Sequence, residues 1–416
     1  MLLDHVFRNI DEAIDYILVE EIEEFRKDWR RHVYPLQTSD FRQLIDIDSF
    51  DNSYSGYFNN APLDNFIMTR LSNGRYALKP NLKKSKFLYR GQNGYYDPCT
   101  PSLFRNPDQS YYIEECMLGQ ELYLLILSHP LVQLLDLGIQ YKGKTYRFAV
   151  NPTGLMQHYY NKTRQIDLTR DINIAAFFAV TDYNWEADTY SPVLDENREG
   201  VLYYYNLDIE CDFKADKTGI PIPRLTTVGL QVLPRSERQQ GFIYDVHRGE
   251  NFNNHPRLTA VKFRHNAHIS QRIFESYEHG KYLFPDDILM KHWRRENKDR
   301  KLLSEISLEY NHRENPNKSK DQLRSMMEEK GYQFKKYKPH FNEEEMKDYY
   351  LSIKDGFWEE FCSKIYIPGD KDGSFMETLL NAPNNPDYMW AFRPDIPHKV
   401  DCAKGYLLRK DRQFFS

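Results

Sequence analysis

With 416 residues, 40% hydrophobic and 28% charged, the chain is too long for one core and too apolar for general disorder, so two or three domains are expected. A formal net charge of -5 gives no global attraction to nucleic acid or to an acidic membrane surface, although a local basic patch is compatible with it. The five cysteines (Cys99, Cys116, Cys211, Cys362, Cys402) lie far apart with no Cys-x-x-Cys pair, which argues against structural zinc or a redox couple and for reduced thiols.

The first residues are acidic where a signal peptide would be basic, and no run approaches the roughly 18 apolar residues of a membrane span, so a cytoplasmic protein without membrane contact is expected. Asp11 to Arg31 repeats Ile14, Ile17, Leu18, Ile22 and Phe25 at three- and four-residue spacing, with acids early and Arg26, Lys27, Arg30 and Arg31 late. This pattern predicts an amphipathic helix whose charges complement its macrodipole. The Asp, Asn, Ser and Gly of 48–60 mark a loop before the next domain.

Lys86 to Gln92 reads as a short strand ending in a tight turn. Tyr111 to Leu137 has helical apolar spacing, all-round near Leu122 to Leu127, which predicts burial. A compact polar segment follows Leu155, and Ile172 to Val180 reads as a small-residue helix able to approach a sheet closely. Asp182 to Gly200 is expected to be a polar surface excursion and Val201 to Tyr205 a strand, with Asp208 to Asp216 another acidic connection. Gly241 to Val246 is strand-like. The basic cluster from Trp293 to Lys301 suits a solvated helix face or, less simply, a nucleic-acid contact. The remainder predicts helix near Glu343 to Cys362 and a turn at Ala382 to Pro386.

Four polar pieces stand in a suggestive order. They are Tyr89-Arg90-Gly91-Gln92 with Pro101-Ser102-Leu103-Phe104-Arg105, then Leu155-Met156-Gln157-His158-Tyr159-Tyr160 running through Thr163 to Thr169, then Gln239-Gln240-Gly241-Phe242, and finally Tyr282-Leu283-Phe284-Pro285-Asp286. The ordered set resembles the FRG domain family over about Lys86 to Asp287. It departs at Tyr160, where the family usually has Gly, and at Leu168, where an aromatic is common. The layout is in turn similar to ADP-ribosyltransferases. That likeness implies a mixed α/β (α+β) fold with a split-sheet core over 81–290, between an N-terminal helical region at 1–80 and a charged, mostly helical region at 291–416.

The same likeness implies NAD as substrate and a protein or nucleic-acid acceptor, in the setting of a toxin or phage-defence effector. Arg90 and Gly91 would hold the cofactor, with a guanidinium fork suited to phosphate oxygens. His158 and Thr169 would orient ribose and Gln240 would face the acceptor, while Tyr159, Thr163, Arg164 and Asp167 complete the cofactor-binding cluster. For most of these the residues themselves allow a structural reading. Arg90 could fix a loop through Asp167, Arg164 and Asp167 could pair with each other, and Tyr159 and Phe177 could be core rather than a wall for nicotinamide. Glu237, the nearest carboxylate to the third piece, need not point the same way, and Gln240 lacks the charge that would stabilise an oxocarbenium-like state. NAD hydrolysis by water and a non-catalytic binding module therefore stay open beside transfer.

Overall fold

The computed structural model describes residues 1–31, 65–70, 74–80, 85–159, 162–184, 187, 189–207, 213–215, 221–231, 233–285, 287–293, 301–336, 340–341, 344–345, 348, 356–367, 370 and 372–382. The expected loop at 48–60, Tyr160, Cys211, Cys402 and the basic residues Arg294, Arg295, Lys298 and Arg300 lie outside them, as do half of the expected helix at 343–362 and most of the turn at 382–386.

The chain opens with strand β1 (Leu2–Phe7) and helix α1 (Ile10–Arg31). It continues through β2 (Phe87–Gln92), helix α2 (Gln109–Ser128), helix α3 (Pro152–His158), β3 (Gln165–Thr169) and helix α4 (Ile172–Ala179). Then come β4 (Glu199–Asn206), β5 (Leu225–Thr227), helix α5 (Pro234–Arg238), β6 (Gly241–Asp245), β7 (Leu258–Arg264) and helix α6 (Ala267–Ser276). The seven strands join in the order β1-β7-β4-β2-β3-β6-β5, with the sheet open at both edges.

That sheet is split. Strands β2 and β4 pair over six consecutive residue pairs and β6 and β3 over five, whereas β2 and β3 meet only at Tyr89 opposite Thr169. The halves fold toward one another across this joint, because Tyr203 and Tyr205 of β4 share one apolar core with Ile166, Leu168, Phe242 and Tyr244 of β3 and β6. Tyr205 and Tyr244 bring their ring centroids within 5.8 Å. The fold is thus α+β with a split sheet, as expected, and no helix among the described residues is long and apolar enough to cross a membrane.

Packing contacts reach across residues 80 and 290. Strand β1 runs parallel to β7 as an edge of the main sheet. Phe66–Arg70 and Tyr76–Pro80 pair with each other, and the first of them takes Ile365–Tyr366 as a third strand. One apolar cluster then joins Phe66 and Leu78 to Leu155, Trp293, Trp358 and Leu379, so described segments before residue 80 and after residue 290 share a core with the middle of the chain.

Three local expectations need correction. Among the described apolar side chains of α1, Ile10, Ala13 and Ile17 are buried, while Leu18 and Ile22 are exposed, because the strand just before the helix fixes which face docks. The helix expected over 111–137 breaks after Ser128. His129 is extended, its Nδ1 accepts the Leu131 N–H at 3.2 Å, and Pro130 opens a new helix over Pro130–Leu137, the first-turn position that proline tolerates. The excursion from Asp182 contains an antiparallel pair, Thr181–Asn184 with Thr189–Pro192.

Candidate functional site

The joint between β2 and β3 is where the motif residues gather. Arg90 lies one residue beyond the single pair that joins the strands, where the ladder has already stopped. Its Nη1 donates to the Asp167 carbonyl at 3.1 Å, in the gap that a backbone N–H would otherwise fill. Gly91 allows the neighbouring helix to close over the strand, since a Cβ there would lie 1.8 Å from the Ala175 carbonyl oxygen of α4. Its closest approach is therefore to the small-residue helix foreseen from Ala175 and Ala176.

The start of β2 is fixed from the N-terminal helix. Glu21, only 8% exposed, accepts the backbone N–H groups of Lys86 (2.7 Å) and Phe87 (3.0 Å) and the hydroxyl of Tyr89 (2.7 Å). Nothing in its spacing marked it out, because an acid on an amphipathic helix reads as solvated until its partners are known.

Behind β3 the polar residues bond to one another. Gln157 donates through Nε2 to Asp167 Oδ2 at 2.8 Å and accepts from the Thr163 hydroxyl. His158 is buried at the end of α3, and its Nδ1 meets Gln239 Oε1 at 2.8 Å. A carboxamide oxygen can only accept, so Nδ1 carries the proton and Nε2 is bare, packed so tightly on Gly241 that a Cβ there would lie 2.7 Å from it. Burial depresses the His158 pKa, which keeps the ring neutral. Thr169 donates to the Gln239 carbonyl at 2.8 Å, and Gln239 in turn donates to the Leu283 carbonyl at 3.1 Å. The four polar pieces foreseen along the chain therefore meet in space.

Not every candidate behaves as a ligand group. Arg164 pairs with Asp245 (2.9 Å), so the expected pair with Asp167 is replaced by one to the next strand. Tyr159 is fully buried, donates to Asp287 Oδ2 at 2.5 Å and lies under the Arg235 guanidinium, while Phe177 packs with Phe274 and Leu283. Both are core. Glu237 pairs with Lys364 at 2.7 Å, away from the joint. Gln240 stands apart from Gln239. It has a left-handed backbone (φ 45°) and its Oε1 accepts from Arg170 Nε at 2.7 Å.

One group was passed over. Arg105 ends the second half of the first motif, and its Nε holds the Thr100 carbonyl at 3.2 Å. Its pKa is lowered by partial burial and then by the like charge of Arg90. Among the described residues neither Arg90 nor Arg105 has a carboxylate partner, so two neighbouring guanidiniums remain uncompensated. Arg90 Nε, Asp167 Oδ1 and His158 Nε2 are also buried without hydrogen-bond partners, a cost that native interiors seldom carry without a reason.

Residues 85–188 match the family model described as the FRG domain. The chain carries an FRG domain, whose matched span includes Arg90, Arg105, His158, Asp167 and Thr169 and stops before Gln239 and Gln240. No curated protein and no solved structure matches the chain.

Proposed function

We propose that the joint binds NAD and that the chain is an ADP-ribosyltransferase acting on a macromolecular acceptor. The observation that carries this reading is the convergence at a split sheet of two uncompensated arginines with three orphaned buried polar atoms. Arg90 and Arg105 supply the positive charge that a pyrophosphate requires. Asp167, with Oδ1 unpartnered and Oδ2 held by Gln157, is the carboxylate that sequence reasoning lacked at this point. In the proposed step the bond from ribose C1 to nicotinamide breaks, nicotinamide leaves with the bonding pair, and Asp167 stabilises the cationic ribosyl group until a nucleophile on the acceptor bonds to C1. His158, Thr169 and Gln239 hold the second and third motifs in register. Water in place of the acceptor would make the same site an NAD hydrolase, and a toxin or phage-defence role follows from either reaction through loss of NAD or marking of a target.

The inward-turned bonds of His158, Thr163 and Thr169 favour a second reading, in which these residues only brace the joint and the domain binds a nucleotide without turning it over. Incubating the purified protein with NAD labelled on the adenylate, with and without cell lysate, separates the three. Label on protein or nucleic acid indicates transfer, nicotinamide release without label hydrolysis, and NAD binding with neither signal the binding module. Absence of NAD binding as well as turnover would overturn the proposal.

A further inference from the structure

A cavity of about 470 Å³ opens beside Gln240, and His158 does not line it. Its walls come from α1, α4, α5, α6 and the segment that follows α6, and include Asp11, Asp171, Asn173, Arg238, Tyr277 and Tyr282. Its volume lies in the range of small-ligand sites, enough for one nucleoside.

The side chains offer a flat, hydrogen-bonding group an aromatic face with one unpaired guanidinium beside it, the wall also holding the Asp11 and Asp171 carboxylates. The Arg238 guanidinium lies 5.3 Å from the centroid of the Tyr282 ring and donates to the Tyr282 carbonyl at 3.0 Å. Tyr282 remains 45% exposed, and the Tyr277 ring stands 6.0 Å away. Arg272, the second arginine of the wall, is neutralised by Asp11, whereas Arg238 has no carboxylate partner among the described residues. Gln240, whose oxygen accepts from Arg170, keeps its amide nitrogen as a donor on this wall, and the Asp171 carboxylate, whose Oδ1 accepts from Asn173, keeps Oδ2 as an acceptor there. An exposed aromatic ring backed by a guanidinium, with amide donors and acceptors at its edge, is how proteins hold unstacked bases of single-stranded nucleic acid.

We propose that this cavity takes one nucleotide of single-stranded nucleic acid, the base stacking on Tyr282 and the adjacent phosphate meeting Arg238. Binding does not depend on the transferase reading; the bound strand's role as acceptor of ADP-ribose does.

The test is fluorescence anisotropy of short fluorescein-labelled single-stranded RNA and DNA titrated with the full chain, in parallel with NAD turnover. Wild type is expected to bind, with affinity falling as salt rises. Tyr282→Ala and Arg238→Ala should each weaken binding by about tenfold or more, and Tyr282→Phe should retain it. No oligonucleotide binding by wild type, or equal binding by both alanine variants, would overturn the proposal, as would ADP-ribose label found on protein alone with no oligonucleotide bound. If the variants separate from wild type while nicotinamide is never released, the pocket stands and the transferase reading falls.

Discussion

The two sides of the joint use polar residues in opposite ways. On the first-motif side, Arg90 and Arg105 form no ion pair among the described residues and bond only to backbone carbonyls there. On the second- and third-motif side, His158, Thr163, Thr169 and Gln239 bond chiefly to one another and are buried. Groups of the first kind are available to a ligand, and groups of the second kind set the geometry in which it would be met. Membership of a motif does not distinguish them; partner and burial do.

The comparison breaks most visibly if the joint itself gives way. Gly91→Ala would drive a Cβ into the Ala175 carbonyl of α4 and is expected to cost about 3 kcal/mol or more, measured by denaturant unfolding. A near-neutral result would mean that the helix does not rest on the strand. His158→Ala removes the bond to Gln239 and leaves a void, and should cost about 2 kcal/mol in the same measurement.

The histidines also give a pH signature. Burial lowers the pKa of His158, and that of His129 to about 3, with the neighbouring His292 adding to the second shift. Because the unfolded chain takes up these protons first, stability is full above the ordinary histidine value near pH 6.5 and is lost as pH falls below it. For His129 the loss continues toward pH 3, at up to about 1.4 kcal/mol per pH unit for each such histidine. Thermal melts from pH 8 to pH 4 check this, and a flat profile would contradict the buried, neutral assignment. The smallest effect on stability is expected for Arg90→Ala, under about 1 kcal/mol, because it gives up one bond to a carbonyl and relieves like charge beside Arg105.

Much of this fold could be read from the sequence, for identifiable reasons. The strand at Lys86 to Gln92, the helix at Ile172 to Val180 and the strands after Val201 and Gly241 combine strong local patterns with burial on both sides, so local preference and tertiary packing agree. The apolar face of α1 was misread because its register depends on β1 and on partners of Glu21 more than sixty residues away. The polar motifs were legible as a set, but their division of labour was not. Thr169 bonds across seventy residues and His158 across eighty-one. Arg164 resolves toward Asp245 and away from Asp167, a choice fixed by the pairing of β3 with β6. Arg105 was visible in its motif and gained significance only when the fold set it beside Arg90.

The most direct test of the central claim is a calorimetric titration of NAD into wild type, Arg90→Ala and Arg105→Ala, with melting temperatures recorded on the same samples. Saturable NAD binding by wild type, weakened about tenfold or more in each variant with melting little changed, is the predicted result. Equal NAD affinity in all three proteins, or none in wild type, would contradict the assignment of the joint as the NAD site.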